Sequence, residues 1–132
     1  MADKAITAEL LTVNTVGEDN PDGANGSGTA NGLGLASTGD TWAISPPSGL
    51  QFDERMFIRL TVTTSATPTL VAGDRYPAQR ADLGDLSLVM ATNDSRMIVI
   101  ETSRFLQNDG TIRITGTNTT DRLQAYMMPK AP

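Results

Sequence analysis

Fifteen aspartates and glutamates, with no histidine and no cysteine, set the chemistry open to this chain of 132 residues. Without those two side chains there is no thiolate nucleophile, no Ser-His-Asp triad, no imidazole base and no ordinary zinc site. The carboxylates form two groups. Glu18, Asp19 and Asp22, with Asn20 among them, have oxygen donors for calcium. Pro21 and the spacing break the twelve-residue EF-hand pattern, so the group reads as a solvated acidic loop. Asp82 and Asp85 have the types of an acid–base pair, but no substrate-orienting residues accompany them, and salt-bridging or turn-capping roles fit better. A glycosidase needs two carboxylates held roughly 5–10 Å apart in a cleft, and nothing marks Glu101, Asp82 or Asp85 as that pair. The glycines of 17–41 lack the Gly-Lys-Ser/Thr ending of a phosphate loop, and no lysine lies between Lys4 and Lys130. The expectation is a protein with no enzymatic activity, no catalytic residues, no cofactor and no metal.

The net charge of −5 and the 10 lysines and arginines argue against nucleic acid, which requires a basic face to release counterions. No segment approaches the roughly 20 apolar residues that cross a bilayer. The first residues, MADKAITAELL, are too short in apolar run for a signal peptide and are broken by Glu9. The chain reads as soluble and made in the cytoplasm, so the Asn-x-Ser/Thr triplets at Asn25, Asn93 and Asn118 read as turns rather than glycosylation sites.

The elements that must position these groups show period two. In 56–63, Met56, Ile58, Leu60 and Val62 point in, while Phe57, Arg59, Thr61 and Thr63 point out. Phe57 beside Arg59 indicates that the outer face is also covered, by a second sheet, a loop or a partner subunit. Residues 96–128 read as three strands of one antiparallel meander. In the first, Ile98 and Ile100 oppose Met97 and Val99, as in an inner strand covered on both sides. Asn108-Asp109-Gly110 supplies a hairpin turn. Ile112 and Ile114 then alternate with Arg113, and Leu123, Ala125 and Met127 alternate with Gln124 and Tyr126. Trp42 and Ile44 open a short strand that Pro46-Pro47-Ser48-Gly49 ends, and the tryptophan reads as core rather than ligand platform. Leu86, Leu88 and Met90 resume the strand pattern before the turn Thr92-Asn93-Asp94-Ser95. With 39% hydrophobic and 5% aromatic residues, the chain predicts an all-β single domain: an antiparallel β-sandwich or jelly-roll-like barrel with long loops.

Three segments frame that body. Residues 1–15 form an amino-terminal arm or a first strand. Ile6, Ala8 and Leu10 share one face while Leu11 and Val13 take the other, a slip that implies a bulge or a change of partner midway; a helix over AITAELLTV competes. Residues 16–41 are a Gly/Asn/Asp-rich loop with a short strand at Gly32 to Ala36, and seven of the 25 residues from 17 to 41 are glycine. The β-body occupies 42–132. Within it, the loop 72–85 carries Arg75, Tyr76, Pro77, Arg80 and Asp82, residue types that anchor interfaces. Ile6, Leu10, Arg75, Tyr76, Arg80 and Asp82 are the candidate partner-contact residues.

The half from Tyr76 to Pro129 resembles small structural proteins in the heads of tailed bacteriophages. The resemblance lies in Pro77-Ala78-Gln79-Arg80-Ala81-Asp82-Leu83-Gly84-Asp85-Leu86, Glu101-Thr102-Ser103-Arg104-Phe105, Gln107-Asn108-Asp109-Gly110-Thr111 and the terminal Met127-Met128-Pro129. It implies a capsid decoration, or cement, protein of the virion: a β-sandwich or jelly-roll-like body on the outer capsid surface. It would bridge major capsid protein subunits, with copies of itself as partners in a trimer, and it brings no catalytic residues. Independently, the lean core and the apolar residues on both faces of 96–100 predict a homo-oligomer. The first rival is a phage tail-tube, spike or fibre component. The second is a carbohydrate-binding β-sandwich using Trp42, Tyr76 and Tyr126.

Overall fold

The structure is a computed structural model and describes residues 3–11, 34–35, 37–46, 52, 55–74 and 84–127. Nine strands follow in order among the described residues: β1 (Asp3–Thr7), β2 (Glu9–Leu10), β3 (Thr41–Ser45), β4 (Arg55–Thr61), β5 (Thr69–Leu70), β6 (Leu86–Ser87), β7 (Ser95–Glu101), β8 (Ile112–Thr115) and β9 (Arg122–Met127). A single helical turn, α1 (Thr102–Phe105), follows β7. The fold is all-β. One sheet runs β1-β3-β8-β5-β6 and the other β2-β9-β4-β7, and their inner faces share one core.

The inward residues of β4 are fully buried, and so are Ile112 and Ile114 of β8 and Leu123 and Ala125 of β9. Each large aliphatic side chain moved from water into such a core contributes about 1.5–3 kcal/mol. Trp42 is buried among them, as its sequence context predicts. Leu35 joins this core from a position outside any strand, packing where a side chain at Gly116 would stand.

Among the described strands the chain changes sheet seven times, and two of these connections correct the expected topology. The first lies in residues 3–11. β1 pairs in parallel with β3, and β2 pairs in parallel with β9 of the other sheet, so the sheets are mixed rather than purely antiparallel. Buried Ala8 is the crossing point: its N–H donates to the Ser45 carbonyl at 2.8 Å, and the Leu11 N–H donates to the Met127 carbonyl at 3.0 Å. Of the arm, strand and helix readings of this segment, the described residues 3–11 show the strand, with a change of partner at Ala8.

The second connection is α1. It takes the chain from β7, at the edge of the four-stranded sheet, to β8, inside the five-stranded one. Residues 96–128 are therefore no meander: β7 and β9 lie on either side of β4, and β8 belongs to the other sheet. Thr102 and Phe105, three residues apart on one side of the turn, are buried. The Asn108-Asp109-Gly110 turn does form. Gly110 has φ 86°, and the Gln107 N–H donates to the Thr111 carbonyl at 2.8 Å. The hairpin it closes is only the bridge Leu106↔Ile112. Asn93 adopts φ 63° in the turn before β7, a conformation asparagine tolerates. Leu88 and Met90 extend the β5–β6 pairing, with Ala66 and Met90 exchanging N–H···O bonds of 3.0 and 2.9 Å.

A candidate protein-contact surface

The outer face of the four-stranded sheet is built from alternate residues of three strands. On β4, Phe57, Arg59 and Thr61 face outward, opposite Val99, Met97 and Ser95 of β7 and Tyr126, Gln124 and Arg122 of β9. The β9 side of this face is closed. Phe57 and Tyr126 stack with ring centroids 4.9 Å apart, Gln124 Nε2 donates to the Tyr126 hydroxyl at 3.1 Å, and both β9 residues are buried. The β7 side is open: Met97 and Val99 are each 66% exposed. The strand expected to be an inner one is an edge strand, exposed on one face.

The polar groups at this edge are placed by the same strands. Arg59 Nε donates to Ser95 Oγ at 3.0 Å, and Thr61 Oγ1 lies 3.2 Å from the same oxygen. Arg96 forms an ion pair with Asp94 at 3.4 Å, in which the arginine is mostly solvated and contributes little to stability. At the other end of β7, Glu101 is exposed and accepts from Ser103 Oγ at 3.0 Å. An apolar strip with a hydrogen-bonding strand edge and charged ends is a candidate surface for protein contact.

A second feature is the neck of the loop 72–85. The Ala72 N–H donates to Asp85 Oδ1 at 2.7 Å, and the Ala72 carbonyl accepts from Gln107 Nε2 at 2.9 Å. The Gly73 N–H donates to the Arg104 carbonyl at 3.0 Å, and the Asn108 N–H donates to Asp74 Oδ1 at 2.6 Å. A Cβ on Gly73 would stand 2.5 Å from the Leu106 carbonyl oxygen, so the close approach requires glycine. The 72–74 end of the loop is thus tied to α1 and the segment that follows it, and the Asp85 end is tied to Ala72. Asp85 caps backbone, as its sequence reading favours.

The candidate contact residues divide as follows. Ile6 is a correction: at 1% exposure it is part of the core, because β1 is an integral strand whose alternate residues face inward. Leu10 is 41% exposed at the opposite edge of the sheet from β7. Arg75, Tyr76, Arg80 and Asp82 lie outside the described residues, as do Glu18, Asp19, Asn20 and Asp22. Met97 and Val99 are legible as apolar, but alternation alone puts them on a covered face. Their exposure follows from the order of the strands, which local alternation does not carry.

Searches of protein-family models, curated protein sequences and solved structures find no match to this chain.

Proposed function

We propose that this chain is a structural protein that decorates and stabilises a tailed-phage capsid, bridging major capsid subunits from the outside of the virion. The observation that carries the reading is the exposed edge strand β7, where Met97 and Val99 form an apolar strip along an edge that no other described strand pairs. Edges of this length are normally blunted by charges, proline or a bulge; β7 has no proline and no bulge, and its charges, Arg96 and Glu101, lie towards its ends and leave 97–100 uncharged. Such an edge gains by meeting another polypeptide. The tied neck of the loop 72–85 supports the same reading, since it fixes where a segment rich in interface-type residues leaves the body. The resemblance of Tyr76 to Pro129 to capsid decoration proteins supplies the kind of assembly. Carbohydrate binding loses support, because Trp42 and Tyr126 are buried and present no ring to a sugar.

The test is co-sedimentation of the purified protein with empty, undecorated capsids of a tailed phage, with isolated tails as the comparison. Saturable binding to capsids, in fixed proportion to the capsid subunit, is the expected result. Binding to tails alone, or to neither particle, would overturn the proposal.

A further inference from the structure

We infer that β7 is a two-fold dimerisation edge, on which a second copy of this chain adds its own β7 in antiparallel register. This inference concerns the free protein and does not rest on the capsid reading.

The backbone fixes which groups are offered. The Val62 N–H donates to the Asp94 carbonyl at 2.9 Å, one step beyond the Thr61↔Ser95 pair. Hydrogen-bonded and non-hydrogen-bonded pairs alternate along an antiparallel ladder. The pairs Leu60–Arg96, Ile58–Ile98 and Met56–Ile100 are therefore the hydrogen-bonded ones. It follows that the N–H and C=O groups of Ser95, Met97 and Val99 point away from β4. Among the described residues no strand meets them.

The side chains then select the occupant. With Ile98 opposite its own counterpart, Met97 faces Val99 of the second copy, and the outer face gains a continuous row from Tyr126 and Phe57 through Val99 to the second copy's Met97. In the same register Glu101 of the second copy lies opposite Ser95, the residue to which Arg59 already reaches at 3.0 Å. The carboxylate of one copy thus comes beside the guanidinium of the other, and symmetry makes the pair twice. No like charges face each other. A shift of two residues one way sets Glu101 against Met97, and the other way carries Glu101 past the strand into the turn at Asn93. Glu101 is complementary to the corner that Arg59 and Ser95 form on the second copy, which favours a second copy over an unrelated strand. An edge contact of this size is at the small end of specific interfaces, so the dimer depends on concentration.

Three readings on the full chain test it. Sedimentation should show a monomer–dimer equilibrium, and amide exchange at Met97 and Val99 should slow as concentration rises. Val99→Lys, at an exposed position, should leave the circular dichroism unchanged and weaken dimerisation about tenfold or more by setting a charge in the apolar row. Ile98→Cys should cross-link two chains on oxidation, since facing non-hydrogen-bonded residues lie about 4.5 Å apart at Cα, within disulfide reach. The chain has no other cysteine, and Val89→Cys, 82% exposed and away from β7, is the control. A protein that stays monomeric at every concentration would overturn the inference. So would a dimer or trimer in which Met97 and Val99 exchange freely and Ile98→Cys fails to cross-link. Capsid binding can succeed or fail without changing these outcomes.

Discussion

At Asp109 one carboxylate oxygen accepts from the Thr111 hydroxyl at 2.6 Å and from the Thr111 N–H at 3.0 Å, and the other accepts from Arg113 at 3.1 Å. The Thr111 hydroxyl contributes most to holding the acid at a pKa of about 2, below its ordinary 3.8. A carboxylate with a depressed folded pKa stabilises the fold fully above its unfolded value, and that contribution disappears as pH falls through the folded one. Wild type should therefore exceed Asp109→Asn in melting temperature at neutral pH, with the difference narrowing between pH 3.8 and about 2. A difference that stays constant across that window, followed by thermal melts in a pH series, would contradict the assignment. Other aspartates also accept from backbone N–H groups close in sequence. Asp94 accepts from the Ala91 N–H, Asp121 from the N–H groups of Thr117 and Asn118, and Asp40 from that of Ser37. These aspartates sit in segments that read as turns from sequence, because short side-chain acceptors compete locally for backbone N–H groups.

At the scale of elements, the amino-terminal segment decides between two accounts of how the protein is held together. β1 contributes five register positions with β3, and Ile6 and Ala8 are buried. Domains are typically stable by about 5–15 kcal/mol, and burial of Ile6 alone contributes about 1.5–3 kcal/mol. Deleting residues 2–8 should therefore abolish cooperative unfolding or lower the melting temperature sharply, as followed by circular dichroism. A truncated chain that melts like the full one would show that the segment is dispensable. Strand identity was largely legible: the alternation of 56–62 places every inward residue of β4, and the phase slip read between Leu10 and Leu11 implies a change of partner, which the structure places at Ala8. Strand order was not. The partners of β7, β8 and β9 lie far away in sequence, and the signals that separate them are distributed over both sheets. The four-residue α1, too short for a helical period, moved β8 to the other sheet.

At the scale of the whole molecule, a core built from few aromatics is closed by two sheets, and the exposed apolar surface of the longest edge is concentrated at Met97 and Val99. All-β composition could be read from period two and the frequency of turn residues. The contact surface could be read only in part, because exposure is a property of the assembled sheets. The candidate anchors Arg75, Tyr76, Arg80 and Asp82 belong to a loop whose ends are fixed to the body. The molecule is thus proposed to be a β-body that acts through its surfaces, on a shell and on its own copies. The most direct measurement is a cryo-electron microscopy reconstruction of capsids saturated with the protein. The account predicts density for it on the outer surface, spanning adjacent capsid subunits. Density confined to the tail or the shell interior, or touching a single capsid subunit without bridging, would contradict it.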